Sequence, residues 1–573
     1  MSGASAGLRK AAMAVAVAMM GLGLSPMARA ASGSGMPHLA KRHGATQFVV
    51  DGEPFLVRGG ELENSSASSL KFMDAEVWPK AVAMHFNTVL APVYWDLVEP
   101  REGVFDFSTV DGLIAGARAR HMKLVLLWFG SWKNSMSCYV PGWVKVNQAR
   151  FPRAESSDGQ QLEILSAVSR NNLDADATAF AALMRHLKTV DGTEHTVILV
   201  QVENEVGMIL TPGGDQPRDY SPEADAAFRG PVPAALTDYL KRHVAALAPW
   251  LRRAWEAHGA KAGASWAATF GPGPGADDLF TAWTEARYTG QVAAAGKRAY
   301  GLPMYVNAAL LGPGNPVGSF PNGAPLPELF DVWRAAAPAI DFFSPDVYFP
   351  NFKRWADAYA QPGNPLFVPE SGRSSAANLG ANALYAYGQL NAMGYSVYAP
   401  EFLPPDQEKT LGDAYAVIRQ ITPLILEKQG TGAMTGIRTP MGADGKDDVS
   451  PQTFELAGYN FTAHFTVQAY RPGMGPGRPL PGAHGALVME MAPSEFLVAG
   501  TGMYLTFAGA GRPDARTGMA PQAGIEWIQE GTFVDGKWTP GRELNGDDDN
   551  QGRWLQLPAN QFVIRMVKLY HYQ

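Results

Sequence analysis

The sequence predicts an α/β fold: a (β/α)8 TIM barrel followed by a smaller antiparallel, sandwich-like β domain. Three observations predict it. Short apolar runs alternate with helical stretches over most of the chain, about eight strands between Phe55 and Leu403. Several runs are apolar throughout, as strands covered on both faces are. Past about Gln429 the helical spacing disappears, and alternating apolar and polar residues take over.

The elements follow in order. The stretch TQFVVDGEPFLVRGG reads as two short strands joined by an Asp51-Gly52 turn. FNTVLAPVYW (86–95) is strand-like. STVDGLIAGARARHM (108–122) has helical spacing, with Ser108 placed to cap it. KLVLLWFG (123–130) is a strand, ATAFAALMRHLKTV (177–190) a helix, and HTVILVQVENE (195–205) a strand again. LPMYVN (302–307), AIDFFSPDVYF (339–349), PLFVPESG (365–372) and YSVYAPEFL (395–403) continue the series. Between them, LTDYLKRHVAALAPWLRRAWEAHG (236–259) reads as one long helix. GTGAMTGIRTPMGADGKDD is a Gly-rich break, and four alternating β segments follow it. NGDDDNQG (545–552) reads as an exposed hairpin turn, since its spacing is not that of an EF-hand calcium loop. The division is therefore a leader over 1–30, the barrel over 31–428 and the β-rich domain over 429–573.

Composition excludes several functions. The 573 residues carry 47 basic and 54 acidic side chains, a net charge of −7, so there is no basic excess to neutralise a nucleic acid. Arg9 and Lys10, then the apolar run AAMAVAVAMMGLGL, then Ala28-Arg29-Ala30 form a secretory signal peptide cut after Ala30. The expectation is an exported protein, periplasmic or extracellular, with no stable membrane anchor after cleavage. Cys138 is the single cysteine, so no internal disulfide forms. The 11 His show no metal-ligand spacing, and neither metal nor cofactor is expected.

The chemistry is written at strand ends. ILVQVENEVG ends an apolar run in Glu203, Asn204 and Glu205. A buried strand tolerates such acids only where something uses or satisfies them. If extension persisted, Glu203 and Glu205 would share one side; at the end of a barrel strand, Asn204 and Glu205 can both reach the mouth. PLFVPESG supplies a second acid, Glu370, on what would be strand seven against strand four. Two carboxylates facing across a pocket suit glycosidic bond cleavage.

These residues resemble glycoside hydrolase family 35, the β-galactosidases, and a bacterial subgroup with a C-terminal β-rich domain. QVENEVG resembles its acid/base motif and DGEPFLVRGGELENS its first strand. NTVLAPVYWDLVEPREGVFDFS resembles its second strand and following signature, and CYVPGW its third-loop Pro-x-Trp. The resemblance covers about residues 45–405. It implies Glu205 as general acid/base, Glu370 as nucleophile and Asn204 as partner of the sugar 2-hydroxyl. Glu203 would pack behind the site, and Trp95 and Glu99 would hold a loop. The implied activity is retaining, exo-acting hydrolysis of terminal β-D-galactosyl units, on xyloglucan side chains for instance.

The chain departs from the family at the sugar grip. Asn134, preceded by Lys133, stands where the family has a Glu; the strand-two Tyr is replaced near Pro92; Val206 follows ENE. A glucosidase or arabinosidase, or a carbohydrate-binding barrel without catalysis, stays open. Arg58, Asn64, Trp132, Lys133, Asn134, Asn307 and Tyr348 lie near predicted strand ends. Of these, Asn134 and Tyr348 are the expected substrate-binding residues, Tyr348 because a Tyr often bonds the nucleophile in the superfamily resembled.

Overall fold

A computed structural model describes residues 35–572 except 209–216, 313, 316–320, 373, 443–444, 468–476, 512–520 and 535. The expected leader over 1–30 lies outside the described residues.

Eight parallel strands close a barrel: β1 (Val57–Glu61), β2 (Thr88–Tyr94), β3 (Lys123–Lys133), β4 (Val197–Asn204), β5 (Met304–Ala308), β6 (Phe342–Val347), β7 (Phe367–Val368 and Glu370–Ser371) and β8 (Gly394–Tyr398). Neighbours in sequence pair in register from β1 round to β6. β7 is split at Pro369, which has no N–H to give a ladder. Its first half pairs with β8 and its second with β6. β8 returns to β1, Gly394 opposite Val57, and the ring is complete.

Every residue of β2, β4, β5 and β6 is buried, which is why these strands read as continuous apolar runs. Helices Arg170–Asp191, Pro274–Ala299, Ala376–Leu390 and Pro405–Lys428 are among those covering the outside. Inside, Tyr305, Phe342 and Phe367 pack as one aromatic layer with centroids 5.3–6.0 Å apart. A small antiparallel sheet, His38–Arg42, Ala45–Val50 and Glu53–Phe55, lies at the other end of the barrel. Asp51 in its turn pairs with Lys123 and His195, where β3 and β4 begin.

Past the barrel stand two antiparallel sheets. One runs in the order Met434–Arg438, Gly485–Ala492, Glu495–Thr501, Val563–Tyr572, Gln522–Val534, Lys537–Leu544. The other orders Gln452–Leu456, Tyr459–His464, Met503–Gly509 and Leu555–Leu557. The larger sheet is covered on both faces. Leu487, Met489, Leu497, Ala499, Ile564 and Met566 join the barrel core, while Val488, Phe496, Val498 and Val567 pack with Phe461 and Leu505 of the smaller sheet. The β domain is therefore fastened to the barrel. Contact is backbone-close: a Cβ on Gly485 would lie 2.5 Å from the Ala381 Cβ.

Four local expectations are corrected. Residues 236–259 form two helices, Ala234–His243 and Pro249–Ala257, because Pro249 can start a helix and cannot continue one. Ser108 is the first helical residue; its N–H is taken by the Asp106 carboxylate at 2.9 Å. The Gly-rich break contains the edge strand Met434–Arg438. Residues 545–552 link a strand of one sheet to a strand of the other and are no hairpin turn, and Asp549 within them is buried.

Arg438 is the polar rivet of the junction. Its Nε and Nη2 donate to Asn382 and Asn378 of helix Ala376–Leu390, each at 2.9 Å, and it is 6% exposed. Arg438→Met keeps the apolar stem and strands those acceptors. Unfolding by urea is expected to show a loss of about 2–4 kcal/mol; an unchanged midpoint would mean that the apolar contacts alone hold the domain.

Candidate active site

The C-terminal end of β4 leaves the extended conformation twice. Glu203 and Glu205 have left-handed backbone, φ 61° and 44°. Such a conformation costs a non-glycine residue of order 1–3 kcal/mol and resets the side-to-side alternation. Glu203 lies beneath Gly130 and Trp132, its Oε2 accepting the Trp132 N–H at 2.8 Å. Asp176 of the covering helix is its neighbour there, and it accepts from the Trp128 indole and the Ser131 hydroxyl at 2.9 and 2.7 Å. Burial, then the Asp176 charge, raise Glu203 far above the carboxylate range. Glu203 therefore packs behind the site, as the motif resemblance implied.

Asn204 and Glu205 reach the mouth instead. Asn204 Nδ2 donates to Glu370 Oε1 at 3.3 Å. Glu370 receives two further donors, Asn307 Nδ2 on Oε1 at 3.2 Å and the Tyr348 hydroxyl on Oε2 at 2.6 Å. Asn307 is the common anchor: its Oδ1 accepts the Glu205 N–H at 3.0 Å, and its Nδ2 also donates to Asp346 Oδ2 at 2.8 Å. One oxygen from each of Glu205, Asp346 and Glu370 lies within 4.8 Å of the others.

Glu205 is 7% exposed and its carboxyl is raised to about 7, first by burial, second by the Glu370 charge, with Lys133 opposing. Asp346 and Glu61, the acids that end β6 and β1, are raised well above their ordinary range by burial and then by Glu370. Among the described residues, Glu205, Asp346 and Glu370 are the acidic group compact enough to hold a metal ion. The donor set fits protons better. Asn and Tyr donors already occupy both Glu370 oxygens and one of Asp346, and burial favours the neutral form of the other two acids.

The structure thus brings Asn204, Glu205, Asn307, Tyr348 and Glu370 together. Asn134 sits at the rim, exposed, with φ 50°; its N–H bonds the Asn204 carbonyl at 3.1 Å, and its side chain accepts from Lys133. Trp95 and Glu99 hold a loop, the Trp95 indole on Glu99 at 2.9 Å and Glu99 on the Gly103 N–H at 2.8 Å. Two of the residues near predicted strand ends make their bonds elsewhere. Arg58 turns to Thr422 of the outer helix, and the Trp132 indole bonds the Leu165 carbonyl. Glu61 and Asp346 are the site residues that the sequence reading missed. Each is an acid at or near the end of a barrel strand whose apolar run is interrupted, Glu61 after Arg58 and two glycines and Asp346 after Ser344 and Pro345.

Comparisons with known proteins give the following likenesses. Residues 411–556 match a family described as a domain of unknown function (DUF5597). A β-galactosidase of Xanthomonas manihotis is 31% identical over 196 residues, 33% of this chain. The match spans only 30% of that relative's length. Among solved structures, a β-galactosidase from Bacillus circulans sp. alkalophilus aligns with a TM-score of 0.47 at 11% identity, over 89% of this chain and 99% of that one. A β-mannanase from the blue mussel Mytilus edulis aligns with a TM-score of 0.40 at 13% identity, over 66% and 96%. The barrel assignment stands on strand register, independently of these likenesses.

The raised Glu205 has a stability consequence. The folded protein binds this proton more tightly than the unfolded chain, so its contribution is complete below about 4.5 and is lost as pH rises through about 7. Glu205→Gln cannot ionise. Urea unfolding near pH 8 should find it more stable than wild type by on the order of 1–3 kcal/mol. The advantage should vanish in acid; equal stabilities at both ends would mean that Glu205 titrates normally.

Proposed function

We propose that the protein is a retaining glycoside hydrolase, an exo-acting β-galactosidase that removes terminal β-D-galactosyl residues from an oligo- or polysaccharide. One observation carries the reading. Two buried carboxylates on strands four and seven face each other within 4.8 Å, in opposite environments. Glu370 accepts three hydrogen bonds from neutral donors; Glu205 holds its proton to about 7. Retaining enzymes separate the two carboxyl groups by about 5–5.5 Å and inverting enzymes by about 6.5–9.5 Å; a pair with one oxygen of each inside 4.8 Å is compatible with the shorter class.

Two steps follow. Glu370 attacks the anomeric carbon while Glu205 gives its proton to the departing oxygen. Glu205, now ionised, takes a proton from water, which cleaves the glycosyl ester with configuration retained. Asn204 has its Oδ1 buried without a protein partner, an acceptor suited to a sugar hydroxyl. The galactose specificity rests on the motif resemblance and on the relative's name. The leader expected over 1–30 would carry the enzyme to a periplasmic or extracellular glycan, of which xyloglucan side chains are one. No helix of the described residues is long and apolar enough to cross a membrane.

Another retaining exo-β-glycosidase, acting on glucosides or arabinosides, is the second reading. The strand-three rim favours it: Asn134 replaces the family's Glu, is exposed and is already engaged by Lys133. A carbohydrate-binding barrel without catalysis has less support, since both carboxylates are in place.

A panel of aryl glycosides tests the reading. Wild type should cleave the β-galactoside, and Glu370→Ala should lose at least about 10³-fold. Azide should restore Glu370→Ala through an α-galactosyl azide and Glu205→Ala through a β-galactosyl azide. The same pattern on another sugar would keep the mechanism and discard galactose; no cleavage of any glycoside would sink both.

Tyr348→Phe removes one donor from Glu370. With it kcat should fall roughly 10–10²-fold at little change in KM. An unaffected kcat would show that the hydroxyl leaves nucleophile and transition state alone.

A further inference from the structure

The two-step scheme gives no task to Asp346. Its Cα is in register with that of Glu370 on the neighbouring strand, so both side chains enter the same face of the sheet. It is 2% exposed. Oδ2 accepts from Asn307, Oδ1 is fully buried and receives no donor, and the carboxyl lies within hydrogen-bonding reach of the Glu205 carboxyl. The titratable groups around it are Glu370 from β7, Glu205 just past β4, Glu61 from β1, the Tyr305 and Tyr348 hydroxyls from β5 and the end of β6, and Tyr359 of helix Phe352–Tyr359. A buried oxygen without a donor, among acids, is costly as an anion and useful as an O–H.

We propose that Asp346 is a positioning residue that acts as a neutral acid, keeping its proton through turnover and offering it from Oδ1 to whichever of Glu370 and Glu205 carries the negative charge. The inference rests on the retaining reading above. In that scheme the pair holds one negative charge throughout. It begins on Glu370, is consumed there as the bond to the anomeric carbon forms, and reappears on Glu205 when its proton leaves. A fixed cation beside one carboxylate would favour that station, and a second anion would oppose both. A neutral donor with one oxygen within 4.8 Å of an oxygen of each stands beside both stations and favours neither by charge. The burial and neighbouring charge that raise Asp346 act in the same direction.

The test separates this proposal from the reading beneath it. An infrared difference spectrum, wild type minus Asp346→Asn near neutral pH, should contain the carbonyl stretch of a protonated carboxyl. It should persist after Glu370 is esterified by an activated 2-fluoro glycoside. Asp346→Asn, which keeps a neutral donor, should lose no more than about tenfold in kcat and keep the alkaline limb of kcat/KM in place. Asp346→Leu, which has no donor, should lose about a hundredfold or more in both half-reactions. An active wild type whose difference spectrum holds only ionised carboxylate bands overturns the proposal alone. So does an Asn variant as damaged as the Leu variant, or one whose alkaline limb moves by about a unit. A wild type that cleaves no glycoside overturns the retaining reading, and the proposal falls with it.

Discussion

The amide of Asn307 sits where three strands end, and the geometry of the mouth depends on it. Its oxygen holds the backbone of Glu205, and its nitrogen holds the carboxyls of Asp346 and Glu370. Acceptor and donors are on one rigid plane, so the three groups are fixed relative to each other by one side chain from β5. The left-handed backbone at Glu205 persists because this bond and the barrel wall determine it from both sides. Without a fixed amide there, two acids from strands four and seven would repel each other apart, or take up water.

Electrostatically the barrel end has two acidic layers, separated by the bend at Glu203. The outer one gathers Glu61, Glu205, Asp346 and Glu370, and Lys133 draws down Glu61 and Glu205. The inner one pairs Glu203 with Asp176, and its donors are neutral: an indole, a hydroxyl and backbone N–H groups. Burial first, then a neighbouring carboxylate, raises Glu61, Glu203, Glu205 and Asp346, so the neutral form is favoured at these four. The inner layer keeps its shape at a local steric cost. A Cβ on Gly130 would lie 2.3 Å from the Trp128 indole nitrogen and 2.7 Å from Glu203 Oε1, which leaves room for glycine alone.

The strands were legible because covering both faces of a sheet demands uninterrupted apolar runs, and a run that closes on an acid advertises a reason for the acid. That rule found Glu205 and Glu370. It missed Glu61 because two glycines dilute the run before it, and Asp346 because Pro345 breaks the apolar run that leads to it. That the alternation fails at the end of β4 was expected; the left-handed backbone at Glu203 and Glu205 that breaks it was not legible, since neither is a glycine and the strain is held by partners far along the chain. The break at Pro249 hid inside an Ala-rich stretch whose helical propensity is high on either side. Arg58 and Trp132 lie near strand ends, and the sequence assigns neither a role. Proximity to a strand end does not say which face a side chain takes, and both turned toward the helical layer or its loops.

Pro369 joins closure to chemistry. A strand can end one ladder and begin another only where its backbone skips a bond, and proline makes that skip obligatory. Before Pro369 the chain pairs with β8 and completes the ring; after it the chain pairs with β6 and sets Glu370 beside Asp346. The Tyr395 hydroxyl on Ser371 at 2.8 Å ties the shifted half back to β8. Had β7 stayed on one partner, Glu370 would have no register with Asp346 and no common reach to Asn307. The same break that closes the barrel therefore brings its seventh strand's carboxylate into line with that of the fourth.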